Sequence, residues 1–358
     1  MTKLGLEVSQ GTESVPSLSR LHLSAVQSSS VSELVHSWHE AGIVRKDDAG
    51  VEWIVGENDT FCLEQVGRWN MAGVKQAVAD VLPSAVKDAL PAAIAPTSAS
   101  TAVEKENAKP QADSSDVADR ILDYNALTKH LVAHETELPD GKETPHFNHH
   151  AYYANLKVYA QQHASHSDAK WGKQLLYGEV VTSTNTILEK NPTLLSHLPS
   201  GFTATATTQI AGRGRGSHVW VSPPGSLIFS TVLRHSLALS TSAPVVFVQY
   251  LAALAVVQGI RHYDTGGYDK LDIRLKWPND VYALDPTSTA AGGEKQYVKI
   301  CGNLVNSSYS GGDYTLVVGI GLNVNNSAPS LSLSHLAKKA GLQAFTLEKL
   351  LASVIVQF

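Results

Sequence analysis

The stretch Thr207–Arg234, TTQIAGRGRGSHVWVSPPGSLIFSTVLR, decides how this chain is read. Gly212, Gly214 and Gly216 alternate with Arg213 and Arg215, so a backbone free of side-chain bulk carries two guanidinium groups on one short loop. Such a loop is suited to grip an anion. FTATATT before it and SLIFSTVLR after it are β-branched and alternating, which predicts a strand on each side. Arg-Gly runs also occur in disordered RNA-binding tails, but those repeat and lack large apolar neighbours. This one runs directly into Val219, Trp220, Val221 and the turn Pro223-Pro224-Gly225. The reading is a structured binding loop held between strands.

The rest of the chain limits what that loop can serve. With 358 residues, 43% of them hydrophobic, there is material for one sizeable core and a second small one. A net charge of -5 argues against a nucleic-acid partner, because positive charge would have to be local and the framed arginines are those of this loop. Cys62 and Cys301 are too few for a disulfide scaffold or a zinc cluster, so a reducing compartment and no metal framework are expected. The opening MTKLGLEVSQ lacks the apolar core of a signal peptide, and no stretch approaches the ~18 apolar residues of a membrane span. A cytoplasmic protein without a membrane partner is the expectation.

Composition divides the chain. Residues 1–91 hold strand-like pieces (LHLSAV, VEWIVG, TFCLEQV) and an amphipathic helix around Val31–Ala41, and they read as a partial accessory region. Residues 92–145 are rich in Ala, Ser, Pro and charge and read as a flexible linker. Residues 146–170 read as a lead-in helix, and a compact domain is expected over 171–358. His146, His149, His150, His163 and His166 cluster near the lead-in helix. With no cysteine partner and aromatic neighbours, they read as a solvated or partly packed helix face in preference to a metal site.

Within the compact region, LLYGEVV reads as a buried strand leading to Thr182-Ser183-Thr184-Asn185, residues that cap helix N-termini, before TILEK. Pro244 opens a long apolar helix, a scaffold element. LDIRLKWPNDVYAL reads as strand, turn, strand, and DPTSTAAGGEKQ as a mobile hairpin tip. Lys299 lies among apolar neighbours in YVKICGNLV, where a lone ammonium is costly unless an anion meets it. Cys301 reads as a packed thiol, since no histidine or cation is its sequence neighbour.

GRGRGSHVWVSPPGSLIFS, then KWPNDVY at 276–282 and VKICGNLVNS at 298–307, resemble the catalytic domain of fungal-type biotin protein ligases, in that family's order. The resemblance implies an α+β fold, a mixed and mostly antiparallel sheet with packed helices, similar to class II aminoacyl-tRNA synthetases. It implies a two-step reaction: biotin and ATP with Mg²⁺ form biotinyl-5′-AMP, and a lysine of a biotin-carrier domain then takes the biotin. The implied partners are biotin-dependent carboxylases such as acetyl-CoA carboxylase and pyruvate carboxylase. GTESVPSLSRLHLS and GENDTF resemble the region upstream of that domain, whose N-terminal part is amidotransferase-like. Cys62 has no nucleophile elbow around it, so amidotransferase activity is not expected.

The resemblance also implies roles for particular residues. Ser183, Thr184, Asn185, Gln209, Gly212, Arg213, Gly214, Arg215, Trp220 and Lys299 match positions that hold biotin. Arg215, Trp220, Lys276, Asn279, Asp280, Lys299, Gly302 and Asn323 match positions that hold ATP or the adenylate, and Arg213, Arg215 and Lys299 match the catalytic cations. The residue types suit the chemistry. A ureido ring carries one acceptor and two donors, each costing about 1–3 kcal/mol if buried unpaired, and hydroxyls and amides answer them. Asp280 is placed to hold Arg213 or a polar substrate group. On the residues alone, helix capping by Ser183–Asn185, a strand-end bond by Gln209 and an edge position for Lys299 stay open.

Three competing readings stand beside this one. A lipoate ligase shares the adenylation logic but needs no polar ureido array; a non-catalytic biotin-binding remnant or scaffold is the second; an RNA-binding module resting on RGRG is the third. The chain closes on TLEKLLASVIVQF, where Thr346 caps a helix whose Leu350, Leu351, Val354 and Ile355 make an apolar face. Biotin ligases normally continue into a small β-domain. The expectation is therefore a C-terminal truncation and an uncovered helix face.

Overall fold

A computed structural model describes residues 17–66, 123–124, 126–162, 171–214, 219–286, 296–327 and 331–358. In chain order the elements are β1 (Leu21–Ala25), α1 (Ser29–Glu40), β2 (Val44–Lys46), β3 (Glu52–Val55), β4 (Thr60–Val66), β5 (Lys129–His134), α2 (His149–Gln162), β6 (Gln174–Val181), α3 (Thr184–Glu189) and α4 (Pro192–Ser196). There follow β7 (Thr203–Gln209), β8 (Ser226–Ser236), α5 (Val248–Arg261), β9 (Ile273–Lys276), β10 (Asp280–Leu284), β11 (Tyr297–Ser310), β12 (Asp313–Asn323), α6 (Leu333–Lys339) and α7 (Leu347–Val356).

The strands form one sheet in the order β2-β3-β4-β5-β1-β6-β7-β8-β12-β11-β10-β9. The pairs β4–β5, β5–β1 and β6–β7 are parallel and the remaining neighbours antiparallel, the mixed, mostly antiparallel α+β architecture the resemblance implies. Period-two alternation sorts the side chains. In β12, Leu316, Val318, Ile320 and Leu322 face one core, which α2, α5 and α7 cover, while Val317 faces the other, which α1, α3 and α4 cover.

Two features depart from the reading of the sequence. The sheet runs across the expected boundaries: β1 sits between β5 and β6, and Lys129–His134, inside the segment expected as linker, is a strand. Polar composition hid it, because its alternate residues His130 and His134 are polar while Leu131 and Ala133 join the core.

The second departure corrects the reading of the last helix. Leu350, Leu351, Val354 and Ile355 of α7 are fully buried, packed with α2 and α5 in the main core. Gly259 of α5 permits the contact, since a Cβ there would lie 2.6 Å from a Val354 methyl, and Ser353 Oγ donates to the Gly259 carbonyl at 2.8 Å. Phe358 stacks on Trp171, ring centroids 5.5 Å apart. The cover comes from helices far earlier in the chain, which the periodicity of α7 alone does not show.

Among the described residues, no helix is long and apolar enough to cross a membrane. The hairpin tip expected in DPTSTAAGGEKQ lies mostly outside the described residues.

Candidate functional site

The cavity begins with missing side-chain volume. On the face of β8, β12 and β11 that looks towards α3, the residues are Ser230, Gly319, Gly321 and Gly302, where the opposite face carries Phe229, Ile320 and Leu322. Gly302 and Gly321 stand directly across from each other, as do Gly319 and Ser230. Small residues in register leave a hollow of about 640 Å³ under α3 and the glycine loop.

Each glycine is occupied from above. A Cβ on Gly321 would fall 2.4 Å from Trp220 Nε1, so the indole lies directly on that backbone. A Cβ on Gly319 would fall 3.0 Å from Asn185 Nδ2. Trp220 is tied here to the chain before it: its N–H donates to the Gly212 carbonyl at 3.0 Å, and Arg213 and Val219 form a bridge. Gly212 itself is boxed in, with a Cβ there 2.3 Å from the Trp220 carbonyl oxygen.

At the start of α3, Ser183 is the N-cap as expected, its Oγ accepting from Thr186 N–H at 3.4 Å. The Thr184 N–H donates to Gln209 Oε1 at 2.8 Å, the Thr184 hydroxyl meets Ser230 Oγ at 2.9 Å, and Gln209 Nε2 donates to Ser222 Oγ at 3.1 Å. These bonds lock the polar wall. Asn185 differs: it is 5% exposed, lines the cavity, and neither Nδ2 nor Oδ1 has a partner among the described residues. Trp220 Nε1 is likewise buried and unpaired. A donor–acceptor amide and an indole donor therefore face the hollow with no protein partner among the described residues, placed to meet polar atoms of a bound molecule.

Two cations stand at the cavity, each against a carboxylate. Lys299 Nζ is 2.7 Å from Asp280 Oδ1 and 5.9 Å from the Trp220 ring centroid, and its side chain is 39% exposed. Arg213 Nη1 is 3.3 Å from Glu189 Oε2 at the end of α3. This corrects the expected pairing, since Asp280 meets Lys299 and Glu189 meets Arg213. The anion that the sequence asks for beside Lys299 is supplied by Asp280, where the turn after β9 enters β10. Asn279 in the same turn, which follows a cis Trp277–Pro278 bond, donates to the Asn303 carbonyl at 2.8 Å.

Most of the residues singled out from the sequence converge here. Ser183, Thr184, Asn185 and Gln209 form one wall; Arg213, Gly214 and Trp220 the lid side; Asn279, Asp280, Lys299 and Gly302 the far end. Lys276 and Asn323 do not line the cavity: Lys276 Nζ sits 3.5 Å from the Tyr282 hydroxyl on an exposed edge, and Asn323 is buried opposite Ser226. Arg215 lies outside the described residues, as do His163 and His166. Ser230, Asn303 and Glu189 line or brace the site without having been anticipated. A hydroxyl inside the apolar run SLIFSTVLR was a readable signal for Ser230. Cys301 is 1% exposed within the main core, and burial pushes its thiol up to about 12, so it is a packed group. His146 pairs with Glu179 at 2.8 Å, while His149 is buried at the start of α2.

Residues 177–323, which carry this cavity, match the Biotin/lipoate A/B protein ligase family. The chain is 41% identical over 196 residues to the biotin–protein ligase of Schizosaccharomyces pombe, a match covering 53% of this chain and 31% of that protein. It is 31% identical over 209 residues to the human biotin–protein ligase, covering 56% and 26%. It is 30% identical over 185 residues to biotin–protein ligase 2 of Arabidopsis thaliana, covering 51% and 50%. The chain thus spans half or less of the length of these curated relatives. A solved biotin protein ligase from Aquifex aeolicus, in complex with biotin and ATP, aligns over 51% of this chain and 67% of its own with a TM-score of 0.37 and 24% identity. The region of this chain that holds the cavity is thus the part similar to the Biotin/lipoate A/B protein ligase family.

Proposed function

We propose that the chain activates biotin with ATP and passes it to a lysine of a carrier domain. The observation that carries the reading is the buried, unpaired amide of Asn185 beside the Thr184–Gln209–Ser230 array, within the matched region. A ureido ring needs an acceptor for its N–H groups and a donor for its carbonyl, and Asn185 offers both. An apolar lipoyl head would leave that amide unanswered.

In the first step a biotin carboxylate oxygen attacks the α-phosphorus of ATP, forming the acyl phosphate bond while pyrophosphate leaves. Two anions must meet, so the barrier is largely charge repulsion and positioning. Arg213, Arg215 and Lys299 are the residues proposed to offset it. Lys299 would exchange Asp280 for the incoming carboxylate and phosphate, and Arg213 would exchange Glu189. Both cations are held near the cavity by carboxylates that a stronger anionic partner displaces.

Among the described residues Asp280 is the one carboxylate lining the cavity, so Mg²⁺ would arrive with the triphosphate and be held there by Asp280 and Asn279. It would take up charge on the departing pyrophosphate. Asn279, Asp280, Gly302, Trp220, Lys276 and Asn323 are proposed for the adenylate, with Lys276 and Asn323 reached only if the nucleotide extends beyond the cavity. In the second step the carrier lysine's neutral amine attacks the acyl carbon, AMP leaves, and an amide forms. Biotin-carrier domains of carboxylases such as acetyl-CoA carboxylase and pyruvate carboxylase, in the cytoplasm, are the proposed partners.

The test is pyrophosphate release by the full chain with MgATP and either biotin or lipoate, followed by transfer of label to a biotin-carrier domain. Biotin-dependent release and carrier labelling are expected. Lipoate-dependent release would reverse the substrate assignment, and biotin binding without release would make the chain a biotin-binding remnant.

A further inference from the structure

We infer that His22, His134 and Glu143 form a binding site for a divalent transition ion of the Zn²⁺ class, away from the ligase cavity. His22 lies on β1 and His134 on β5, two neighbouring strands, and Glu143 on the segment that leads into α2. Their ligand atoms all fall within 4.8 Å of one another, drawn from residues that sequence spacing separates widely. His22 Nδ1 and His134 Nε2 are 3.0 Å apart, and the two residues are 5% and 3% exposed. Nitrogen ligands at ~2.0–2.1 Å from a tetrahedral ion stand roughly 3.3 Å apart, so these rings need to move little to share one.

The surroundings favour an ion over a simple imidazole pair. A hydrogen bond between the rings uses one proton and one lone pair, and the Glu143 carboxylate, whose Oε2 also accepts from the Asp140 N–H at 3.3 Å, lies within 4.8 Å of a ligand nitrogen on each ring. A third buried imidazole, His149, lies outside this donor group. Its ring stands edge-on to Tyr177, 5.4 Å between centroids, and Tyr177 is the cross-strand partner of His22. The buried Nε2 of His149 has no partner among the described residues. Two imidazoles and a carboxylate are a nitrogen–oxygen donor set that suits Zn²⁺.

The ion would clamp β1, β5 and the approach to α2, where the first part of the sheet meets the layer of helices behind the cavity. A second donor group on the same part of the sheet, Cys62, Glu64 and His130, is the internal rival. There Glu64 already holds His130 Nδ1 at 2.9 Å and Arg20 at 3.3 Å, so its carboxylate is committed.

The experiment titrates the metal-free full chain with Zn²⁺ and, separately, with Co²⁺ as a spectroscopic probe. One tightly bound equivalent is expected, raising the melting temperature, with a cobalt spectrum that lacks thiolate charge transfer. Cys62→Ser should leave the affinity unchanged. His22→Gln, His134→Gln and Glu143→Gln should each weaken it at least about tenfold. Glu143 is exposed, so its variant reports on the site even if the buried histidine variants fold poorly. No stoichiometric binding by the wild type, a thiolate band abolished by Cys62→Ser, or an affinity indifferent to Glu143→Gln would each overturn the assignment.

Discussion

The two faces of β8, β11 and β12 are built from the same strands and end differently. Towards α2, α5 and α7 the alternate positions are large and apolar, and the face closes into a core in which Phe229, Leu316, Val318 and Leu322 are fully buried. Towards α3 the intervening positions are Ser230, Gly302, Gly319 and Gly321, and the face stays open. The lesson is that this cavity is made by withholding volume every second residue, so one run of sequence specifies a packed wall and a binding floor together. The first face contributes stability; the second exchanges some of it for unmatched polar groups that a ligand can satisfy.

The comparison predicts that substitutions on the two faces fail in different ways. The largest effect belongs to the packed layer: Leu350→Ala in α7 should lower unfolding free energy by about 2–5 kcal/mol, read by denaturant melts, with activity per folded molecule retained. A near-neutral result would mean α7 is not part of the core. On the open side, Lys299→Met and Arg213→Ala should each reduce biotin-dependent pyrophosphate release about tenfold to hundredfold, as loss of a charge-assisted contact of ~1.5–3 kcal/mol, while the melt stays within about 0.5 kcal/mol of wild type. Wild-type release from a stable variant would reduce the cation to an edge residue.

Asn185→Leu sharpens the contrast further. It removes a buried amide that has no partner among the described residues, so stability should hold or rise slightly, while calorimetric biotin affinity falls by ~1–2 kcal/mol, about fivefold to thirtyfold. Loss of stability with affinity intact would move Asn185 to the packed side. The smallest effect concerns chemistry that should not occur. With its thiol pushed up to about 12 by burial, Cys301 should resist iodoacetamide at pH 8 in the native chain and react once denatured, as peptide mapping would read. Rapid native labelling would place Cys301 at the cavity.

Ser183 at the head of α3, the strand–loop–strand of the glycine segment and the Lys276–Asp280 turn were legible because each depends on residues a few positions apart. Capping, alternation and turn chemistry act at that range. Ser230 was half legible, as a hydroxyl inside an apolar strand. Glu189 was not, because its position near Arg213 depends on how α3 packs over the sheet.

By itself the sequence determined the strands and helices around the site, the residue types that line it and the family they resemble. Only the tertiary structure decided that β1 inserts between β5 and β6, that α2 and α5 cover α7, that Asp280 meets Lys299, and that His22 and His134 face each other. The physical reason is range. Propensity and periodicity are properties of neighbouring residues, whereas each of these contacts closes a long stretch of chain and forms only because the cores on both sides of the sheet repay that closure together.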